Sequence, residues 1–341
     1  MNDPVEVFVP GRLCIIGEHS DWAAGYRTVN NKLEKGYAIV AGLSLGIYLR
    51  GWKHAGFSYE YNEKKISLSC EELMEHNDRD FFEYIISSAK IMHSYYKVSG
   101  AKIICDKMTL PMKKGLASSA AICVSVIKIY NMLFDLNLSV ETEMELAYKA
   151  EISTGSKCGK MDQVCAYGQG LRKICFDGDK IEIKSLKTGK ELYVVLVDLQ
   201  GTKNTKKILS DLNAEYLIES QKGDGRLIKF FGEFNKKCVE DAERYLMDGN
   251  IKEFAEVLKI FQNNFDENVA CFSTKLRAPK LHRLIDYCNC VEGVLACKGV
   301  GSQGDGTAQI LSWCDSAAKK IVEEITHTFG MECYVLKIGK Q

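Results

Sequence analysis

The segment that most constrains the fold is an almost uninterrupted apolar run from Ser118 to Phe134, which follows a turn at Gly115. A helix that is apolar on nearly every face has no side to present to water, so it must lie inside a core built by other elements. A chain of 341 residues is long enough to supply that core without metal or disulfide support. The run therefore predicts a globular protein organised around a central helix.

Charge and targeting signals narrow the function classes. The chain has 45 basic and 45 acidic residues, so it has no excess of positive charge with which to hold nucleic acid or an anionic membrane. The longest weakly polar run, 36–49, is interrupted by glycines and is shorter than the roughly 20 residues of a spanning helix. The N-terminal residues 1–4 include an acid where a signal peptide carries positive charge. We expect a cytoplasmic protein without a nucleic-acid, membrane or obligate protein partner.

Cysteine usage agrees with a reducing compartment. The fourteen cysteines include no C-x-x-C pair, and none of their spacings is that of a zinc site. The sequence therefore predicts thiols rather than a disulfide framework or a structural metal.

Hydrophobic periodicity outlines the first half of the chain. An alternating strand over 5–9 is predicted to turn at Pro10-Gly11 into a second strand over 13–16. Helical spacing predicts amphipathic helices over 80–97 and 140–152. The other predicted strands are 37–50, 57–68 with a hairpin turn at 62–65, and 101–105.

The second half mixes strands and helices in an order typical of an α+β arrangement. The predicted elements are strand 193–199, three helices between 206 and 263, helix 279–287, strands 294–298 and 307–311, helix 315–329 and strand 334–338. The length favours two domains, and we place their boundary between 185 and 195. The predicted domains are 1–190 and 191–341.

The first chemically informative segment runs from Pro10 to Trp22. Three ionisable residues, Glu18, His19 and Asp21, follow an apolar strand within four positions. Carboxylates that converge at a strand end are suited to hydrogen-bond neighbouring hydroxyls of a ligand. A polar turn in which Asp21 caps the next element explains the same spacing equally well.

The second segment, 111–121, combines the Gly115 turn with two serines, Ser118 and Ser119, at the start of the apolar helix. Backbone N–H groups and the positive end of the helix dipole favour a phosphate there, and serine hydroxyls can reach phosphate oxygens or Mg²⁺. The alternative is an ordinary serine N-cap on a core helix. No G-x-x-x-x-G-K-[ST] string occurs, which excludes a P-loop.

The third segment, 299–307, has four glycines in eight positions between two predicted strands. These glycines allow close approach to a ligand or left-handed turns, although a plain hairpin is also compatible. A dinucleotide site should open a helix at this point, whereas 307–311 predicts a strand.

In this order the segments resemble the GHMP kinase superfamily of galactokinase, homoserine kinase, mevalonate kinase and phosphomevalonate kinase. Residues 10–21 match the galactokinase form P-G-R…G-E-H-x-D, with Ser20 in the usual place of Thr. Residues 111–121 match P-x-x-x-G-L-x-S-S-A-A at every defined position, and 158–163 match C-G-x-M-D-Q. The resemblance implies a two-lobed α+β GHMP-kinase fold, with an N-terminal α/β lobe around a mixed sheet and a C-terminal ferredoxin-like α+β lobe.

Three features depart from the family pattern. Gln303 and Asp305 interrupt the third segment, where the family usually has a G-x-G-x-G-G type run. Residues 26–35 look like an insertion relative to galactokinases, and Trp22 stands where galactokinases have Tyr.

The resemblance implies an ATP-dependent kinase that phosphorylates a monosaccharide hydroxyl, the anomeric one in galactokinases, with ATP and Mg²⁺ as cofactors. Asp162 would accept the proton of the attacking hydroxyl, or only position that hydroxyl, and Arg12 beside it would stabilise negative charge. Glu18, His19 and Asp21 would bind the sugar. The phosphates would lie on Gly115, Leu116, Ala117, Ser118, Ser119 and Ala120, and Mg²⁺ on Ser119 and Glu151. Residues 202–205 could cover the sugar, and 299–306 would close the nucleotide side.

The sequence leaves open other interpretations of individual residues and of the substrate. A lone Glu such as Glu151 more often lies on a solvated helix face. A solvated basic turn explains residues 202–205 at least as well as a covering loop. Trp22 and the insertion also fit a kinase for another polyol or a modified sugar, such as a uronic acid, pentose or amino sugar. A mevalonate-type acceptor is disfavoured because the carboxylates would repel an acid. A sugar and ATP sensor without turnover is disfavoured because Arg12, Ser118, Ser119 and Asp162 are all present.

Overall fold

The protein is described from a computed structural model, which covers residues 3–77, 81–112, 114–156, 158–201 and 204–339. Its residues group into two compact units, each discontinuous in sequence. The first unit comprises Met1–Arg12 and Gly42–Gln169, and the second comprises Leu13–Ala41 and Gly170–Gln341. Each unit thus consists of two stretches of chain, whereas the sequence predicted one boundary near residue 190. That boundary stays a prediction.

In chain order the strands are β1 (Val5–Ile16), β2 (Gly36–His54), β3 (Phe57–Tyr61), β4 (Lys64–Leu68), β5 (Gly100–Met108), β6 (Gly170–Asp177), β7 (Lys180–Leu186), β8 (Leu192–Asp198), β9 (Val294–Gly299), β10 (Thr307–Ser312) and β11 (Cys333–Ile338). The helices are α1 (Ser20–Gly25), α2 (Cys70–Glu75), α3 (Glu83–Tyr96), α4 (Ser118–Leu133), α5 (Val140–Ser153), α6 (Thr205–Lys222), α7 (Arg226–Lys229), α8 (Asn235–Asp248), α9 (Ile251–Asn268), α10 (Pro279–Cys288) and α11 (Asp315–Phe329).

The first unit is built on a mixed sheet. Its strands follow the order β4-β3-β5-β2, β1 pairs with β2, and β3 runs parallel to β5 while β2 and β4 pair antiparallel with their neighbours. Helix α4 packs against α3 and α5. It is buried on almost every face, from Ala120 to Leu133, which confirms the predicted central helix.

Strand β1 differs from its prediction, because Pro10-Gly11 does not turn the chain. The strand runs without interruption from Val5 to Ile16 and joins the sheet through β2. Proline is tolerated in a strand where its missing N–H needs no partner strand. The turn signal at Pro10-Gly11 was therefore misleading.

The second unit contains the β6–β7 hairpin and an antiparallel sheet of order β11-β8-β10-β9. Apolar side chains from β8, β9 and β10 pack with α10 and α11 in one core that includes Val195, Leu281, Ile310 and Ile321. The predicted α+β class with one mixed and one antiparallel sheet is confirmed.

The three helices predicted between 206 and 263 are α6, α8 and α9. A π-helical turn, Phe230–Phe234, separates α7 from α8, and Gly232 within it has non-helical dihedral angles. The sequence did not predict α1, α2, β6 or β7. Among the described helices, none is both long and apolar enough to cross a membrane.

Candidate active site

Strand β1 places Arg12 against the loop that precedes α4. The N–H of Arg12 donates to the carbonyl of Leu116 at 3.0 Å. A Cβ at Gly11 would collide with the Leu110 side chain and would lie 3.1 Å from the Leu116 carbonyl. Glycine at position 11 is what allows the strand and the loop to approach this closely.

The loop enters α4 through two left-handed residues, Gly115 with φ of 73° and Ala117 with φ of 56°. A left-handed alanine costs about 1–2 kcal/mol, so its conformation is imposed by the surroundings. Ser118 and Ser119 are the first helical residues, and the N-cap residue is Ala117, which has no capping side chain. The serine N-cap alternative is therefore wrong, and the helix presents its positive end to the loop.

Arg12 and Asp162 form an ion pair in the first unit, and their side chains are 5% and 30% exposed. Asp162 opens a 3₁₀ helix, Asp162–Tyr167. Within the described ranges, Nε and Nη1 of Arg12 are buried and have no hydrogen-bond partner. Buried donors are almost always paired, so these two N–H groups can donate to an acceptor from outside the chain, such as water or a ligand oxygen.

A second polar pair lies beside the first. The hydroxyl of Ser119 donates to Oε1 of Glu151 at 2.6 Å, and Nε2 of Gln163, the residue after Asp162, donates to Oε2 at 2.7 Å. Glu151 projects from α5 and is 2% exposed, so the solvated-face alternative is wrong. Burial raises the pKa of Glu151, and the hydrogen bonds from Ser119 and Gln163 oppose that rise.

The oxygens of Ser119 and Glu151 are suitable ligands for a hard cation. Among the described residues, no group of three or more His, Cys, Asp or Glu side chains is arranged to hold a metal ion. Mg²⁺ is commonly held by one or two protein oxygens while nucleotide phosphates and water complete its shell. The pair fits that kind of shared site.

The Glu18 carboxylate lies in the second unit and is 1% exposed. It forms an ion pair with Lys298 of β9, which is fully buried and also donates to the carbonyl of Gly299 at 2.9 Å. The sequence analysis did not identify Lys298. A charged residue inside the apolar string V-L-A-C-K-G was the signal that could have found it.

His19 is 6% exposed and left-handed, with φ of 69°. Its Nδ1 accepts a hydrogen bond from the indole N–H of Trp22 at 2.9 Å, and its ring stacks on Phe265. Asp21 lies in the first turn of α1, whereas the N-cap position is His19. Asp21 is therefore not the cap of this helix.

Ser20 is completely buried and ties the motif to the second unit. Its hydroxyl lies 2.6 Å from the Gly17 carbonyl and 2.8 Å from the Tyr37 carbonyl. The amide of Asn235 donates to the Ser20 hydroxyl at 3.1 Å and to the Tyr37 carbonyl at 2.9 Å. Asn235 is a further residue that the sequence analysis missed.

The segment 26–35 is anchored to its own unit by side chains. The Tyr26 hydroxyl bonds Asn213, and Arg27 and Lys35 pair with Asp177 at 2.7 and 2.9 Å. These two cations lower the pKa of Asp177 to about 2. The segment is therefore bound to β6 and α6 rather than being a loose loop.

The glycine-rich turn between β9 and β10 uses its two unusual residues internally. Gln303 is left-handed with φ of 62°, and its side chain folds over Gly299. Oδ1 of Asp305 accepts from the backbone N–H groups of Lys280 and Leu281 at 2.9 and 3.0 Å. Asp305 therefore caps the start of α10.

The structure brings Arg12, Asp162, Ser119 and Glu151 together in the first unit. Glu18, His19 and Asp21 are grouped in the second unit by their chain segment. Of the predicted covering loop, 202 and 203 lie outside the described residues, and Asn204 caps α6 by accepting from the Lys207 N–H.

Fold and motifs define the class of protein. Residues 83–170 match the GHMP kinases N terminal domain family. The crystal structure of Lactococcus lactis galactokinase complexed with galactose superimposes with a TM-score of 0.75 at 20% identity, covering 98% of this chain and 93% of that one. Methanococcus jannaschii mevalonate kinase gives a TM-score of 0.72 at 16% identity, with 99% of each chain covered. The chain therefore has the fold of the GHMP kinase superfamily, and residues 83–170 resemble the N-terminal domain of these kinases.

Within that superfamily its sequence is similar to galactokinases. The galactokinase of Thermotoga petrophila is 26% identical over 350 aligned residues, which cover 95% of this chain and 94% of that protein. The similarity to galactokinases therefore extends over nearly the whole chain.

Proposed function

We propose that the protein transfers the γ-phosphoryl group of ATP to a hydroxyl of a monosaccharide, the anomeric hydroxyl in particular. The observation that carries this proposal is the Arg12–Asp162 ion pair, in which two buried guanidinium N–H groups have no partner among the described residues. The similarity to galactokinases over nearly the whole chain supports a sugar as the acceptor.

The nucleotide phosphates would lie on the loop and first turn of α4, Gly115 to Ala120. There the backbone N–H groups and the helix dipole favour negative charge, and the N-cap residue, Ala117, has no side chain that could cap the helix. Ser119 and Glu151 would hold Mg²⁺, which supplies charge neutralisation between the phosphates. The hydrogen bond between these two side chains keeps their oxygens together before any ligand arrives.

Asp162 would accept the proton of the attacking hydroxyl. Its partial exposure leaves it reachable, while Arg12 is held in place by the loop through its backbone and by Asp162 through its side chain. The remaining N–H groups of Arg12 would donate to the transferring phosphoryl group, where negative charge must be stabilised.

Glu18, His19 and Asp21 would recognise the acceptor's hydroxyls. A buried carboxylate discriminates strongly, because an acceptor that lacks the matching hydroxyl leaves it without a partner. The contact between Trp22 and His19 and the anchored segment 26–35 give a specific reason to test sugars other than galactose. A kinase for a modified sugar is therefore the second candidate.

The test is ADP release with MgATP and a panel of galactose, other neutral hexoses, pentoses, amino sugars, uronic acids and mevalonate, followed by NMR identification of the product. We expect turnover with one sugar and phosphorylation at its anomeric carbon. Turnover with mevalonate alone would contradict the proposal, and binding of sugar and ATP without any turnover would identify a sensor instead.

Replacement of the proposed base is the matching internal test. Asp162→Asn should lower kcat by about 10²- to 10⁴-fold, the usual contribution of a positioned proton acceptor. Nucleotide binding measured by calorimetry should persist. Asp179→Asn, at an exposed acid in the β6–β7 turn, is the matched control. Undiminished turnover in Asp162→Asn would remove Asp162 from this role.

Cytoplasmic location and the absence of a protein or nucleic-acid partner remain predictions from the sequence.

A further inference from the structure

Lys298 is a fully buried lysine that the proposed mechanism does not use. Its ammonium group pairs with Glu18, donates to the Gly299 carbonyl at 2.9 Å and lies 5.8 Å from the centre of the Phe261 ring. Both partners of the ion pair are almost completely removed from water, at 0% and 1% exposure. Such a pair is costly to desolvate and is rarely more stable than two apolar side chains of similar volume.

Stability alone therefore does not account for this pair. The ion pair instead fixes the direction of the Glu18 carboxylate, because Lys298 is itself held by the Gly299 carbonyl at the end of β9. Glu18 is also the first ionisable residue of the G-E-H-x-D segment. This is the segment proposed to accept hydrogen bonds from the sugar's hydroxyl groups.

The surroundings fix Lys298 as well. The Gly299 carbonyl that it contacts also receives the side-chain amide of Gln303 at 3.4 Å, and Gln303 is 1% exposed. The backbone N–H of Gly299 donates to Oε1 of Gln262 at 2.9 Å. Both the N–H and the carbonyl of Gly299 are therefore hydrogen-bonded to buried side chains. Because the Lys298 ammonium group donates to the same carbonyl, its position is fixed as well.

We propose that Lys298 is a positioning residue for the acceptor sugar: it holds the Glu18 carboxylate in one orientation to receive the sugar's hydroxyl groups. This inference rests on the proposed sugar-kinase function. It adds a specificity-determining residue from β9 to the motif formed by residues 18–21.

The experiment compares Lys298→Met, Glu18→Gln and the double variant with wild type. The matched control is Lys173→Met, which removes the lysine of another ion pair in the same unit, Lys173–Glu243. The first measurement is thermal unfolding, which needs no substrate. Lys298→Met should lower the midpoint by about 5–10 °C because an unpaired carboxylate stays buried, and the double variant should recover most of this loss.

The second measurement is steady-state kinetics with MgATP and the sugar identified by the panel. Lys298→Met should raise the KM for the sugar by about tenfold to a hundredfold, the effect of losing a hydrogen bond to a charged acceptor, and should leave the KM for ATP unchanged. The double variant should regain stability without regaining sugar affinity. Lys173→Met should leave both KM values unchanged.

The outcomes separate this inference from the proposed function. A wild-type protein that turns over no sugar overturns both. A wild-type protein that is active, with an unchanged sugar KM in Lys298→Met, overturns the inference alone. Recovery of wild-type sugar affinity in the double variant would also overturn it, because Lys298 would then have only a structural role.

Discussion

Helices α4 and α10 begin in the same way and differ in what meets their first amides. Each follows a left-handed alanine, Ala117 or Ala278, and neither has a capping side chain on that residue. At α10 the carboxylate of Asp305 accepts from two N–H groups of the first turn. At α4 the structure shows no such carboxylate among the described hydrogen bonds, and the buried guanidinium of Arg12, which lies in the same unit, has two N–H groups without a partner among the described residues.

The difference separates a structural helix start from one prepared for a ligand. Both termini carry the positive end of a helix dipole, which favours an anion. The protein supplies that anion at α10 from its own chain. At α4 we propose that the anion is a nucleotide phosphate, because helix N-termini are suited to bind phosphate groups.

The largest effect should come from supplying α4 with its own anion. Ser118→Asp places a carboxylate where the phosphates are proposed to lie, and repulsion at this range should raise the KM for ATP about a hundredfold. The same carboxylate should stabilise the helix start by about 0.3–1 kcal/mol. Steady-state kinetics and urea unfolding measure the two effects, with Ser118→Asn as the uncharged control. An unchanged KM for ATP would show that α4 does not meet the phosphates.

The converse change removes the anion from α10. Asp305→Ala leaves the N–H groups of Lys280 and Leu281 without their acceptor, and loss of a cap of this type costs about 0.5–2 kcal/mol. Urea unfolding should show this decrease relative to Asp179→Asn. If stability does not change, Asp305 does not cap the helix in solution and the comparison with α4 fails.

A smaller effect should distinguish the two alanines. Ala117→Gly and Ala278→Gly both relieve a left-handed alanine, and each should raise the free energy of unfolding by about 1 kcal/mol. Only Ala117→Gly should also raise the KM for ATP, because it loosens the loop that orients the first amides of α4. Equal kinetic effects in the two variants would contradict a special role for the loop at 115–117.

The smallest effect concerns a titrating residue on α10. His282 pairs with Asp266 at 3.2 Å, and this contact raises the pKa of His282. The protonated form is therefore favoured in the folded state, and its contribution is fully present below the ordinary histidine pKa of about 6.5. It is lost as the pH rises through the raised value.

Because His282 is 40% exposed, the pair should contribute at most about 1 kcal/mol. His282→Gln should remove this part of the pH dependence of unfolding, which is the loss of stability as the pH rises above the ordinary histidine pKa of about 6.5. The Ser118→Asp variant, which retains His282, should show the same pH dependence of unfolding as the wild type in this range. An identical pH dependence with and without His282 would contradict the assignment.

The sequence predicted what is encoded locally. The apolar run gave α4, and the motif around Gly115 gave the loop and its serines, since both depend on residues a few positions apart. Arg12 and Asp162 were associated only through the family resemblance, and the structure places them in contact.

What the sequence did not predict depends on distant contacts. Lys298 and Glu18 are 280 positions apart, and Asn235 and Ser20 are 215 apart. No periodicity connects such residues, because their proximity is created by the packing of β9 and α8 within the second unit. The turn predicted at Pro10-Gly11 was wrong for a related reason: pairing with β2 overrides the local preference of the dipeptide.

The chain changes unit within β1, between Arg12 and Leu13, and again within β2, between Ala41 and Gly42. Neither unit is therefore one uninterrupted stretch of the gene. A fragment that ends near residue 190 would carry residues 13–41 without the α8 and β9 side chains that Ser20 and Glu18 contact. A single continuous stretch of coding sequence therefore cannot carry either unit complete, and exchanging one unit for that of a relative would require at least two separate segments.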